Sequence, residues 1–282
     1  MGGRGTGNLI GGHVFVAGGL AKGGLKYASE IGAEMIQVFV TNPRGWALSA
    51  GDPAEDAKLR ESGVPVFLHA AYLVNCGSPT PATLENSIAV IRHTLRRGAE
   101  TGARGVVVHT GSAVSQSRED AMRQIHEHLL PVLDELPGDG PDLLLEPMAG
   151  QGRMLCATVQ DLGPYLEALD HHPKAGVCLD TCHAFAAGHD LAAPGGVKEM
   201  MDALHEVAPG RLRLIHANDS KDPCGSKRDR HENIGAGHIG AQAFADLMRH
   251  PAAAGVPFCI ETPGKVDKHR EDIDLLKKLR SG

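Results

Sequence analysis

No apolar stretch in the 282 residues is longer than a strand, so nothing in the chain has the roughly 20 apolar residues of a membrane-crossing helix. The six cysteines (Cys76, Cys156, Cys178, Cys182, Cys224 and Cys259) form no CxxC pair. A chain of this size needs no disulfide staples, so reduced thiols in a cytoplasmic protein are expected. The first eight residues, MGGRGTGN, lack the apolar core of a signal peptide and are expected to form a flexible tail to a single domain spanning 9–282. No Pro/Gly/Ser-rich linker divides that domain. An excess of positive charge is also missing: the formal net charge is −6 and the isoelectric point about 6.2, which at first sight speaks against a nucleic-acid ligand.

What is present is a regular alternation. Apolar, β-branched runs closed by turn residues predict eight strands: NLIGGHV from 8, EMIQVFV from 34, VPVFLHA from 64, RGVVVHT from 104, DLLLEP from 142, AGVCLD from 175, LRLIHAND from 212 and PFCIET from 257. Helical spacing fills the intervals, as in 82–102 and 117–136. Strands apolar on both faces, alternating with amphipathic helices, imply a parallel sheet covered by helices. Eight units in this length predict a single-domain (β/α)₈ TIM barrel, with the active site at the C-terminal ends of the strands. An open doubly wound sheet would be expected to carry a glycine-rich phosphate loop after its first strand, and GGHVFVAGG does not match that fingerprint.

The strand endings share a chemistry. Strands three to eight close with His69, His109, Glu146, Asp180, His216 and Glu261, and the loops after strands six and seven add His183 and the run Asp229-Arg230-His231. One histidine at a strand end is ordinarily a hydrogen-bonded structural residue. Six consecutive strands ending in metal-type side chains are hard to assign to chance, and four carboxylates on one face would repel one another without cations. The pattern predicts a metal site holding more than one ion. Extended backbone lets Asp229 and His231 reach one ion while Arg230 points elsewhere. The chain must turn after Asp180, so Asp180 and His183 suit two neighbouring ions. Mixed imidazole and carboxylate ligands favour Zn²⁺, with Mn²⁺ or Fe²⁺ as alternatives. His13, His189 and His238 lie near the same rim as candidate supporting residues. His93, His126, His128, His171, His172, His205, His250 and His269 fall on predicted outer helices or their ends and read as solvated.

Over nearly its whole length the sequence resembles endonuclease IV, a family of metal-dependent apurinic/apyrimidinic endonucleases. The stretches that carry the resemblance are GGHVFVAGGL (11–20), VTNPRGW (40–46), HAAYLVN (69–75), LEPMAGQG (145–152), VCLDTCHAFAAGHD (177–190), HANDSK (216–221), GSKRDRHENIGAGHIG (225–240) and IETP (260–263). The resemblance implies three zinc ions. His69 and His109 would hold one, shared through Glu146 with a second that Asp180, His216 and Glu261 complete. His183, Asp229 and His231 would hold the third. Phe15-Val16 after His13, Pro147-Met148 after Glu146, and Thr110 depart from the family's usual residues, beside the ligands and not on them.

The implied reaction is hydrolysis of the phosphodiester 5′ to an abasic site in duplex DNA, leaving a 3′-hydroxyl and a 5′-deoxyribose phosphate. Glu146 and Glu261 are the expected catalytic carboxylates. Two close ions lower the pKa of a shared water, and a further ion stabilises the departing oxygen. Three divalent ions would also cancel the formal −6. Lys221, Arg228 and Arg230 on the loop after strand seven are candidate phosphate contacts; Lys227 reads equally well as solvated. Arg44 and Tyr72 are implied to fill the gap left by a rotated-out abasic nucleotide. A monomer is expected, with no membrane association, cytoplasmic and associated with the nucleoid when bound to DNA. The alternative on the same barrel is a metal-dependent sugar or keto-acid isomerase, for which Glu146, Asp180, His216 and Glu261 alone would suffice and His69, His109 and the 229–231 run would be surplus.

Overall fold

The computed structural model describes residues 7–282. Residues 1–6 of the expected tail lie outside the described residues. Asn8, expected in the tail, instead packs with the barrel: its side-chain amide is buried and donates to the Ala253 and Val256 carbonyls at 2.5 and 2.8 Å.

All eight predicted strands form: β1 (Ile10–His13), β2 (Ile36–Val38), β3 (Val66–His69), β4 (Gly105–His109), β5 (Asp142–Glu146), β6 (Ala175–Asp180), β7 (Leu212–His216) and β10 (Phe258–Ile260). Each pairs in parallel with its neighbour, and β10 closes the barrel onto β1. The helices are α1 (Leu20–Ile31), α2 (Pro53–Glu61), α3 (Pro81–Thr101), α4 (Arg118–Asp134), α5 (Leu162–Ala168), α6 (Thr181–Ala187), α7 (Gly196–Val207), α8 (Ala241–Arg249) and α9 (Val266–Ser281). Local chemistry sets their ends. Ser117 caps α4 by accepting from the Asp120 amide, and Gly102 ends α3 with φ of 71°.

Side-chain parity along the strands positions the site. Outward residues such as Val106, Val108, Leu143, Leu145, Val177 and Leu179 pack into the mantle under the helices. Inward residues form a separate plug inside the barrel: Met35, Phe67, Val107, Leu144, Cys178, Leu214 and Cys259. Because successive side chains on a strand alternate in direction, the next inward position is two residues on. Those positions are Gln37, His69, His109, Glu146, Asp180, His216 and Glu261. An apolar layer therefore lies directly beneath a polar one, at the C-terminal mouth.

The structure adds an element beyond the eight expected strands. A two-stranded antiparallel pair, β8 (Asp219–Ser220) and β9 (His231–Glu232), rises beyond β7 and carries the 221–230 loop. Two histidines expected to be solvated are also buried. His269 bridges Tyr27 Oη (3.1 Å) and the Thr262 carbonyl (2.9 Å), and His93 packs inside the face of α3.

Candidate metal centre

The nine sequence-predicted ligands converge in three groups, within each of which the donor atoms all lie within 4.8 Å of one another: His69–His109–Glu146, Glu146–Asp180–His216–Glu261, and His183–Asp229–His231. Glu146 belongs to the first two. Asp180 sits between the second and third, with Oδ2 3.8 Å from His216 Nδ1 and 3.6 Å from His231 Nε2. The turn expected after Asp180 is the start of α6, where the Asp180 carboxylate caps the helix by accepting from the His183 amide at 2.9 Å. Asp229 and His231 project together from the hairpin, 3.1 Å apart.

Three of the imidazoles are aimed by their other nitrogen. His69 Nδ1 donates to the Ala70 carbonyl (2.7 Å), His183 Nδ1 to the Pro147 carbonyl (3.0 Å) and His231 Nδ1 to the Glu261 carbonyl (3.2 Å). That leaves Nε2 of all three free to face the carboxylates, and those of His183 and His231 are buried 3.2 and 3.1 Å from Asp229 but out of line for a hydrogen bond. Buried polar atoms are ordinarily satisfied, so orphaned imidazole nitrogens ringed by carboxylates fit a divalent cation. Pro147, one of the family departures, thus serves through its carbonyl. Thr110 donates its hydroxyl to the Glu146 and Cys156 carbonyls, each at 3.3 Å, beneath the site.

Charge in the protein alone points the same way. Burial would lift Glu146, but His216, His69 and His109 outweigh it and hold the carboxyl well below the usual carboxylate range. Burial likewise opposes, and His183 and His231 overcome, so Asp229 is strongly lowered. Burial would lower His216 and His231, yet the facing carboxylates push both up to about 9. His109, where burial prevails, falls to about 4. Protons on His216 and His231 balance the carboxylates, in the place that divalent cations would take.

Two supporting residues went unread in the sequence. Gln37, fully buried on β2, accepts from His216 Nε2 (2.8 Å) and donates to Glu261 Oε1 (2.6 Å), which turns His216 Nδ1 toward the carboxylates. Asn218 donates to Asp180 Oδ2 (2.7 Å) and accepts from the Glu261 amide (2.8 Å). Of the three rim histidines, His13 lies 3.5 Å from Glu261. His189 instead accepts from the Val159 amide, and the exposed His238 offers only its backbone, donating to the Ser220 carbonyl. Cys178 and Cys259 lie in the plug one layer below, and burial raises both thiols well above their ordinary range.

Around the ligands opens a cavity of about 300 Å³ that Tyr72 and Met148 also line. Tyr72 is 47% exposed and its amide donates to the Pro43 carbonyl (2.9 Å), so the loop bearing it is tied to the loop bearing the exposed Arg44. Lys221, Arg228 and Arg230 are exposed on the hairpin loop. The Arg230 guanidinium is forked onto Asp222, with Nε–Oδ2 at 2.6 Å, and Lys221 Nζ lies 3.9 Å from Glu232.

Residues 25–279 match the family of xylose isomerase-like TIM barrels. A D-tagatose 3-epimerase-like protein superposes with a TM-score of 0.74 over 96% of each chain at 17% identity, a likeness of fold alone. The crystal structure of endonuclease IV from Thermus thermophilus superposes with a TM-score of 0.84 at 30% identity, covering 96% of this chain and 98% of that one. A probable endonuclease 4 of Streptomyces coelicolor is 59% identical over 282 residues, 98% of this chain and 96% of that protein. Identity of that extent over the whole barrel places the chain, within the xylose isomerase-like TIM barrels, in the endonuclease IV family.

Proposed function

We propose that the protein is a DNA-repair hydrolase that cleaves the phosphodiester 5′ to abasic sites in duplex DNA, leaving a 3′-hydroxyl and a 5′-deoxyribose phosphate. The observation that carries this reading is the set of three donor groups linked through Glu146 and Asp180. An isomerase would need the group Glu146–Asp180–His216–Glu261 alone. It would leave unexplained why Nε2 of His183 and Nε2 of His231 are buried out of hydrogen-bond line beside a carboxylate brought in on a separate hairpin.

The residues fit three divalent cations of the zinc class, held by the three groups. Bound there, such ions supply a nucleophilic water at neutral pH and stabilise charge on the phosphate and the leaving oxygen. The chain's own contribution is orientation. Gln37 and Asn218 fix His216, Asp180 and Glu261, while the Ala70 and Pro147 carbonyls fix His69 and His183. Glu146 and Glu261 are the carboxylates assigned to the reacting centre. Arg44 and Tyr72, on loops joined at the mouth, are suited to enter the duplex where a base is missing. Lys221 and Arg228, held only loosely by Glu232 and Asp222 at 3.9 and 3.7 Å, are suited to phosphate, whereas the Arg230 guanidinium is forked onto Asp222.

The test is incubation of chelator-free protein with a labelled duplex carrying one abasic analogue and no added Mg²⁺. A single cut with a 3′-hydroxyl end is expected. A 3′-unsaturated aldehyde would mean a lyase, and isomerisation of free sugars without DNA cleavage would mean the isomerase.

A further inference from the structure

Among the described residues, the large hydrophobic side chains left exposed are Phe15, Leu48, Tyr72, Leu73 and Val114. All five sit on loops that follow β1, β2, β3 or β4, on the face of the barrel that carries the ligands. The basic side chains Lys221, Lys227 and Arg228 stand on the loop beyond β7. The exposed apolar side chains thus gather on one side of the mouth, where Arg44 is the basic residue beside them, and the hairpin loop with its lysines and arginines stands on another. Exposed apolar surface confined to the rim of a polar centre marks a contact surface.

Phe15 is the most exposed of the five, at 57%, in a chain only 4% aromatic. It is also fixed. Its ring packs edge-on against Tyr27 at 5.2 Å and lies parallel to His269, 12° between planes with centroids 6.4 Å apart. His269 is itself pinned between Tyr27 Oη and the Thr262 carbonyl, next to Glu261. In front of Phe15 is a cleft of about 470 Å³, whose lining includes Phe39, Pro43, Tyr72 and Glu261. Tyr72 and Glu261 also line the metal cavity, so the two spaces adjoin. No lysine or arginine lines the cleft, and its one carboxylate is Glu261. A phosphate would find no cation there. A flat, uncharged ring with apolar faces would find three aromatic side chains in the lining, Phe15, Phe39 and Tyr72.

We propose that this cleft is a nucleobase-binding site, with Phe15 as a stacking platform for the base adjacent to the lesion on the incised strand. The inference rests on the endonuclease reading given above. The abasic nucleotide has no base of its own to stack. Its covalent neighbour lies one phosphate away, which matches a cleft that shares two wall residues with the metal cavity. Stacking on an aromatic is indifferent to base identity, so the site would add affinity and position without sequence preference.

The test compares two duplexes: one abasic analogue flanked by ordinary nucleotides, and the same duplex with the flanking nucleotides also baseless. Phe15→Ala and Phe15→Leu should keep wild-type metal content and lose kcat/KM on the first duplex by about tenfold, the effect of one lost base–aromatic stack. They should match wild type on the second, and Phe15→Trp should match it on both. Equal rates for Phe15→Ala and wild type on the first duplex, or equal losses on both duplexes, overturn the proposal. Wild-type protein that cuts neither duplex overturns the endonuclease reading instead. The cleft is then judged by binding alone: 2-aminopurine beside the lesion should be quenched by wild type and not by Phe15→Ala, and equal quenching by both overturns it.

Discussion

On the proposed three-ion reading, replacing Asp219 by asparagine should remove one ion although Asp219 belongs to none of the three donor groups. The carboxylate is fully buried and has four backbone donors. Oδ1 accepts from Ser220 and Ile239 at 2.8 and 2.9 Å, and Oδ2 from Gly235 and Gly240 at 2.9 and 3.2 Å. The loop wraps it so closely that a Cβ on Gly237 would lie 2.5 Å from Oδ1. An asparagine keeps the shape, but whichever end its NH₂ takes faces two N–H donors. Two orphaned buried donors at about 1–3 kcal/mol each, with weaker bonds at the other end, amount to roughly 3–6 kcal/mol. Little of that can be regained by rotation. The loss is a large fraction of a typical domain's stability, and it is local to the segment just after His231. Opening there releases the hairpin that carries Asp229 and His231, while His69, His109, Glu146, Asp180, His216 and Glu261 stay on the barrel. Elemental analysis after chelator-free gel filtration should therefore find about one ion fewer per chain than in wild type. Amide exchange should quicken in 231–240. Asp219→Asn protein with the wild-type metal count and unchanged exchange in that segment would refute the reasoning.

Glu146→Gln should keep the fold and cost activity far more than stability, since it removes the charge shared by two donor groups; a wild-type kcat/KM would show that the bridging role is wrong. Arg44→Ala combined with Tyr72→Ala should retain metal and melting temperature while losing roughly tenfold or more in kcat/KM on abasic duplex, because the duplex gap is left unfilled; an unchanged value rules out insertion. Zinc binding to metal-free protein should release protons. Burial would lower His216 and His231, but facing carboxylates raise both to about 9, so below that pH each carries a proton that the ion must displace. The sign follows: zinc affinity weakens as pH falls below about 9, and proton release fades as pH rises above it. In the metal-free protein the stability that these protonated histidines contribute is complete below about 6.5 and lost as pH rises through about 9. Calorimetry at pH 7 in two buffers of different ionisation enthalpy reads the release, and identical heats would contradict it.

The eight strands were legible because each is a short apolar run between turn residues, and their polar ends because charge stands out against such runs. Gln37 was equally available and was passed over. It sits in the middle of EMIQVFV, where an amide reads as tolerated polarity on a strand. Parity would have found it: Met35 is in the plug, so Gln37 must be in the layer that holds His69 and His109. Every barrel strand from β2 onward obeys that two-residue step. The hairpin was not legible by this route. Two-residue strands have no periodicity, and the loop between them holds no apolar run.

What holds the hairpin was hidden for a different reason. Asp219 and Asp272 look like ordinary surface carboxylates in sequence. In the fold Asp272 accepts from the Ile234 amide, the Asn233 side chain and the Thr262 hydroxyl, at 2.9, 2.8 and 2.6 Å. It ties the segment after His231 to the end of β10, as Asp219 ties it to β7. Apart from the neighbouring Ser220, their partners lie 10 or more residues away, and only the folded chain brings them together. The two carboxylates hold the one donor group that the barrel strands do not complete by themselves. Of that group His183 comes from α6, at the end of β6, while Asp229 and His231 depend on the clamp. A barrel with the hairpin loosened would keep the two donor groups around Glu146 and lose the third, so the centre is built from a rigid part and a part whose geometry rests on two buried anions.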